Sequence, residues 1–279
     1  MNELEGKKSD EQEFTLVEHL KDLRFRVVRA MIGIVIVAVI TFFIAPGLLD
    51  LARLPLDVGL KRAMEFLPNA DDNVRFVVLA PAEYFLSKLK VTFVAAIFIS
   101  SPWISYQLWA FVAPGLYFHE RRWAMSFVWA GAFFFCAGGY FAYELVFPGI
   151  FEFFITDAVK DKVDMTLSIA EYLSMVMKLL LAFGVAFQAP VIVFVLIIAG
   201  IVKPDTLAGF RPYIIVGGFI LGAALTPPDV VSQAMLALPL MALFELGLIA
   251  GRIALKMGGA QLSKEKRAEA RAKADDDKS

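Results

Sequence analysis

Long apolar stretches separated by short polar connectors dominate this chain. A helix that crosses a bilayer core of about 30 Å needs about 20 apolar residues, and four stretches have that length: residues 27–46, 90–113, 124–147 and 172–199. Two further stretches, 213–225 and 230–250, are separated only by Thr-Pro-Pro-Asp, which predicts a tight turn between antiparallel helices. The pattern therefore predicts an all-α integral membrane protein with six transmembrane helices.

The fifth predicted helix, 213–225, is too short to cross the membrane unaided, because it would extend only about 20 Å at 1.5 Å per residue. This length predicts either local thinning of the bilayer or a shielded position inside the helix bundle.

Two sizeable connectors, 47–89 and 149–171, lie on one face of the predicted bundle and should cap it. Four apolar residues in the first connector recur at near-helical spacing, which predicts a short amphipathic helix bracketed by Pro55 and Pro68. These residues are Leu56, Leu60, Met64 and Leu67.

Composition supports the membrane assignment, because 59% hydrophobic residues and a mean hydropathy of +0.67 exceed what a soluble chain of this length could bury. About 18 of the 27 Lys and Arg residues lie in the two termini and in the connectors on the terminal side of the bundle. This bias predicts that both termini are cytoplasmic. We therefore divide the chain into an amphipathic cytoplasmic segment (1–26), a membrane domain (27–251) and a charged cytoplasmic tail (252–279) that is disordered or a solvated helix.

Catalytic chemistry has few candidates in this sequence. The only histidines are His19 and His119, and the single cysteine, Cys136, lies inside an apolar stretch. No G-x-S-x-G, H-E-x-x-H, paired cysteines or nucleotide-binding loop accompanies them. The sequence predicts a protein that is not an enzyme and that has no cofactor and no metal site.

Acidic residues near the cytoplasmic surface are the main binding candidates. If the N-terminal amphipathic segment and the connector after residue 113 are neighbours, Glu120 would join Asp22 in an anionic patch. Such a patch suits guanidinium groups, because a carboxylate meets the planar fork of an arginine bidentately, so two carboxylates set apart can bind two arginines. The alternative is a solvated face in which Glu120 only pairs with a neighbouring arginine, a contact worth about 0–1 kcal/mol. The remaining candidates at the rim of the patch are Glu18, His19, Arg24, Arg121 and Arg122.

Gln188 is the main polar candidate within the spans, since it falls well inside the fourth stretch, just before Pro190 removes a backbone hydrogen bond. It has two interpretations, a functional intramembrane group or a hydrogen bond that holds helices together.

Several long motifs, taken in order along the chain, resemble those of the TatC family. TatC is the multispanning subunit of the twin-arginine protein translocase. The motifs are H-L-K-D-L-R-F-R at 19–26, S-P-W-I-S-Y-Q-L-W-A-F-V-A-P-G-L-Y-F-H-E-R-R at 101–122, Y-L-S-M-V-M-K-L-L-L-A-F-G-V-A-F-Q-A-P at 172–190 and L-T-P-P-D-V-V-S-Q at 225–233. The resemblance implies six helices with short fifth and sixth members. It also implies a location in the bacterial inner membrane and a cytoplasmic receptor for signal peptides that carry paired arginines.

The resemblance also implies roles for individual residues. Asp22, Arg24, Phe111 and Glu120 match signal-peptide-binding positions, and Pro55 and Asp229 match motif positions of the outer face. The family commonly has Glu where this chain has Asp22 and Gln188. Because an amide does not titrate, the resemblance implies no proton-transfer role for Gln188, but it does imply that Gln188 contacts a partner subunit.

The implied partners are TatA- and TatB-type single-span subunits, folded cargo proteins, membrane lipid and further copies of the chain, with no nucleic acid. Transport would be driven by the proton motive force. A small-solute secondary transporter is the alternative, because it would also be multispanning and free of cofactors, although it would not require an acidic rim or outer caps.

Overall fold

A computed structural model describes residues 2–66, 75–78, 80–112, 124–160, 166–225 and 230–276. The chain divides into two compact units, Met1–Val185 and Ala186–Ser279. The first unit contains α1 (Asn2–Phe43), α2 (Ala45–Phe66), β1 (Arg75–Val77), α3 (Pro81–Ile99), α4 (Ser101–Val112), α5 (Ala124–Phe141), a π-helical turn (Ala142–Val146), α6 (Phe147–Lys160), β2 (Thr166–Ser168) and α7 (Ile169–Ala186, whose last residue lies past the division). The second contains α8 (Ala189–Ile198), α9 (Pro204–Ala208), α10 (Arg211–Leu225) and α11 (Val230–Asp276).

Among the described residues, four helical stretches are long and apolar enough to cross a membrane, namely Leu20–Phe43, Met125–Ala158, Ile169–Ile198 and Val230–Met257. A fifth span is possible if the bent pair Pro81–Ile99 and Ser101–Phe111 crosses as one. The predicted all-α membrane class is confirmed. The count of six stays a prediction, because it also requires the shorter apolar helix Arg211–Ala224 to cross.

Prolines interrupt three of the predicted spans. α3 and α4 meet at a 57° bend where Pro102 cannot donate to the Phe98 carbonyl, so 90–113 is not one straight helix. The helix predicted to end at 147 passes through the π-helical turn before Pro148 and continues to Lys160. In the fourth predicted span, 172–199, a turn at Phe187 and Gln188 precedes Pro190, the residue at which the sequence predicted a lost backbone hydrogen bond.

α1 packs antiparallel to α3 and α4. The Thr41 hydroxyl donates to the carbonyl of Thr92 at 3.3 Å, and the indole Nε1 of Trp103 donates to the carbonyl of Arg29 at 3.1 Å. Gly33 allows the Trp103 ring to lie against α1, because a Cβ at residue 33 would come within 2.5 Å of the indole.

The two long connectors join in a cap that consists of α2, α6 and a parallel pairing of β1 with β2. The predicted amphipathic helix is present within α2, but its predicted start is wrong, because Pro55 lies inside the helix. The carbonyl of Leu51, which Pro55 leaves without a backbone donor, instead accepts a hydrogen bond from the Tyr143 hydroxyl at 2.7 Å. Tyr172 donates to the neighbouring carbonyl of Ala52, also at 2.7 Å.

In the second unit, glycines allow α8, α10 and α11 to approach closely. A Cβ on Gly247 would lie 2.8 Å from the Pro190 Cα, and one on Gly218 would lie 3.2 Å from the Ala237 Cα. The core between α8 and α11 consists of Val193, Ile197, Phe244 and Leu248.

Candidate functional site

Asp22 lies on α1, one turn before Arg26, and the two side chains form an ion pair in which Arg26 Nε is 2.8 Å from Asp22 Oδ2. Asp22 remains 39% exposed in this pair, so its carboxylate is not enclosed. Arg24 is exposed on the same helix. Arg26 therefore offsets part of the charge of Asp22.

Phe111 lies towards the same end of the α1–α4 pair as Asp22. The two helices run in opposite directions and meet where the indole of Trp103 donates to the carbonyl of Arg29. Phe111 is eight residues after Trp103, and Asp22 is seven residues before Arg29, so both lie about two helical turns from this contact in the same direction. Asp22 and Phe111, which belong to different helices of the predicted peptide site, therefore share one end of this helix pair.

Apolar side chains surround Asp22 along α1. Leu20, Phe25 and Val27 are all more than half exposed, and the guanidinium of Arg29 lies 4.2 Å from the ring centre of Phe25. This end of α1 thus combines a carboxylate, cations and uncovered apolar surface.

Several predicted site residues lie outside the described part of the chain. Glu120, Arg121, Arg122 and Asp229 fall in undescribed segments, and Glu18 and His19 belong to α1 by backbone but their side chains are not described. The proximity of Asp22 and Glu120 therefore stays a prediction.

Gln188 is half-buried at the N-terminal end of α8, in the second unit. Its backbone carbonyl accepts the first hydrogen bond of α8, from the Ile192 N–H at 2.9 Å. Its side chain does not cap the helix. The helix predicted over 172–199 is therefore interrupted beside this amide side chain, and the role of Gln188 stays a prediction.

Sequence reasoning missed an ion pair between α10 and α11. Arg211 Nη2 donates to Glu245 Oε2 at 2.9 Å, and Arg211 Nε donates to Glu245 Oε1. The pair is 34 residues apart, so no helical spacing could reveal it.

In the described part of the chain, no group of three or more His, Cys, Asp or Glu residues could hold a metal ion.

Comparison with known proteins identifies the family. The family model of the Sec-independent protein translocase protein (TatC) matches residues 18–239, which is most of the chain. The chain belongs to the TatC family. Among its relatives, TatC of Azotobacter chroococcum mcd 1 is 40% identical over 241 residues, which cover 86% of this chain and 90% of that protein. TatC of Escherichia coli (strain K12) is 37% identical over 243 residues, which cover 87% and 90%.

A solved structure has the same fold. The crystal structure of the twin-arginine translocase receptor TatC shares 33% identity with this chain, has a TM-score of 0.73 and is matched over 85% of this chain and 99% of its own. This TatC is therefore a membrane-embedded subunit of the twin-arginine, Sec-independent protein translocase, a transport component.

Proposed function

We propose that this TatC is the receptor that binds twin-arginine signal peptides of folded proteins at the cytoplasmic face of the bacterial inner membrane. Asp22 and Glu120 would hold the two arginines, and the apolar region of the peptide would insert along the bundle past Phe111. The observation that carries the proposal is that Asp22 and Phe111 lie towards the same end of the α1–α4 pair.

The surroundings of Asp22 support arginine binding. An ionised carboxylate has about four acceptor sites, and Arg26 occupies one Asp22 oxygen, so the second oxygen remains able to accept from an incoming guanidinium. A lysine ammonium lacks the planar fork that meets a carboxylate bidentately, so two separated carboxylates would select paired arginines over paired lysines.

Steps of transport after peptide binding would require partner proteins. We place both termini in the cytoplasm, and we propose that TatA- and TatB-type single-span subunits assemble with this TatC, with Gln188 as one intramembrane contact. The proton motive force would drive export, as the resemblance to the TatC family implies.

Peptide binding to the purified full-length chain in nanodiscs tests the receptor proposal. A labelled twin-arginine signal peptide should bind more tightly than the same peptide with two lysines. Asp22→Asn should weaken arginine-peptide binding by about tenfold, which corresponds to one lost charge-assisted hydrogen bond. Glu120→Gln should have a similar effect.

Asp157→Asn is the matched control, because Asp157 is an exposed aspartate on α6, in the cap. It should leave peptide affinity unchanged. Equal binding of the arginine and lysine peptides, or full arginine preference in both Asp22→Asn and Glu120→Gln, would refute the proposed site.

A further inference from the structure

The first unit contains a cavity of about 410 Å³ whose walls come from α2, α3, α5 with its π-helical turn, and α7. Its size is within the range of about 300–1,000 Å³ that ligand pockets occupy. The walls are almost entirely apolar, with residues such as Leu51, Val94, Phe98 and Met177.

The cavity runs lengthwise along one face of α5. The lining positions 136, 139, 140, 143 and 144 recur at helical spacing. Cys136 and Glu144 are eight residues apart, so the cavity extends about 12 Å along the helix. Its inner end is at Cys136, whose thiol lies 3.4 Å from the Ser101 hydroxyl, and its other end is at Glu144, beside the cap.

Glu144 is the charged group that lines this cavity. Glu144 lies in the π-helical turn, in a helix that continues to Lys160. Within the described ranges its carboxylate forms no ion pair and no hydrogen bond. π-helical turns occur frequently at functional sites, and a carboxylate at the end of an apolar channel can accept hydrogen bonds from a cationic group, so both features point to a ligand.

A cation lies at the same end of the cavity. The contacts of Phe98 with Cys136 and Gly139 set the height of α3 against α5. Lys88 is one turn before the lining residue Val91, and it lies on the same face of α3 as the residues that line the cavity. Its ammonium lies 4.5 Å from the ring centre of Phe42. Glu144 thus lines the cap end of the apolar channel, and Lys88 lies one turn beyond the lining on α3, with its ammonium against Phe42 of α1.

The dimensions distinguish between possible occupants. The cavity is about 12 Å long and its walls are almost entirely apolar. An elongated apolar channel of this kind suits a narrow acyl chain, which would lie along its length.

We propose that this cavity binds a phospholipid with a primary ammonium headgroup, such as phosphatidylethanolamine. The acyl chain lies along α5 towards Cys136, the ammonium donates hydrogen bonds to Glu144, and the phosphate faces Lys88. This site is separate from the peptide site at the other end of α1 and does not rest on the receptor proposal.

Lipid retention by the full-length protein tests the site. Native mass spectrometry of the purified protein, exchanged into equal amounts of phosphatidylethanolamine and phosphatidylcholine with identical acyl chains, should show about tenfold preference for the ethanolamine lipid, because the choline headgroup has no N–H donor. Glu144→Gln should reduce the preference to near one. Glu152→Gln, on α6 outside the cavity lining, should keep it.

Cys136 provides a second readout, because it is the only cysteine in the chain and lies at the inner end of the cavity. In nanodiscs, its alkylation by a small apolar thiol reagent should be slower with phosphatidylethanolamine than with phosphatidylcholine. Should Glu144→Gln fail to fold, stepwise N-methylation of the ethanolamine headgroup tests the wild-type protein, and each methyl should lower retention.

Three results would overturn the proposal. They are equal retention of the two lipids by the wild-type chain, an unchanged preference in folded Glu144→Gln, and protection of Cys136 only when a single-span subunit is bound. The last would mean that a protein segment occupies the cavity.

Discussion

At the scale of single residues, prolines create unpaired carbonyls, and the surrounding structure supplies hydroxyl donors for them. Pro55 removes a backbone N–H from the middle of α2, and an unpaired buried carbonyl would cost about 1–3 kcal/mol. The Tyr143 hydroxyl compensates by donating to the Leu51 carbonyl. This contact explains how a proline is tolerated inside a helix of the cap, and it joins α2 to the turn that contains Glu144.

Tyr143→Phe should therefore lower the free energy of unfolding by about 1 kcal/mol, measured by denaturant titration in mixed micelles. In a Pro55→Ala background the loss should be much smaller, because residue 55 then has an N–H that can donate to Leu51. Tyr140→Phe, one turn earlier and exposed, is the control and should have little effect. Equal losses for Tyr143→Phe in both backgrounds would show that the hydroxyl does not compensate for the proline.

At the scale of elements, backbone proximity decides how the helices of the second unit pack. Transmembrane helices associate largely through close contact of small residues, since lipid removes most of the hydrophobic driving force. Gly247 and Gly251 on α11 face Pro190 and Ile197 of α8. The bidentate pair between Arg211 and Glu245 adds a polar contact between α10 and α11.

Gly247→Ala should destabilise the protein by about 1–3 kcal/mol, because its Cβ would meet the Pro190 backbone at 2.8 Å and the helices would have to separate. Gly217→Ala is the matched control in the same unit, since no atom lies within 4 Å of its added Cβ. It should be neutral or stabilising by about 0.5–1 kcal/mol, as alanine is the better helix former. Thermal unfolding in detergent measures both, and similar stability for the two variants would contradict the packing argument.

At the scale of the whole molecule, the distribution of charges predicts one orientation in the membrane. The Lys and Arg bias favours cytoplasmic termini. In a Cys136→Ser background, Asp157→Cys on α6 should react with an impermeant maleimide added outside right-side-out vesicles. Asn2→Cys and Ser279→Cys should react only after the vesicles are opened. Outside labelling of either terminus in sealed vesicles would show that the orientation is wrong.

Much of the architecture followed from local pattern. Apolar stretches of about 20 residues predict helices, because each backbone group in lipid must pair within its own segment. The contact between Asp22 and Arg26 could also be anticipated, since residues four apart on a helix are neighbours. The break before Pro190 follows from the missing N–H.

Contacts between distant segments could not be predicted in this way. Glu245 has its partner 34 residues away, so only the packing of α10 on α11 pairs it with Arg211. Tyr143 and Leu51 are 92 residues apart, and nothing in that spacing indicates that the Tyr143 hydroxyl meets the carbonyl that Pro55 leaves without a backbone donor.

The sequence alone determined the membrane class, most helix positions, the TatC family resemblance and the candidate peptide-binding residues, because hydropathy, proline chemistry and motifs are local properties of the chain. Only the tertiary structure decided that Phe111 and Asp22 lie towards the same end of one helix pair, and that Glu144 lines an apolar cavity instead of ending a helix. Both depend on how helices far apart in sequence align, which is set by side-chain contacts such as that of Trp103 with Arg29.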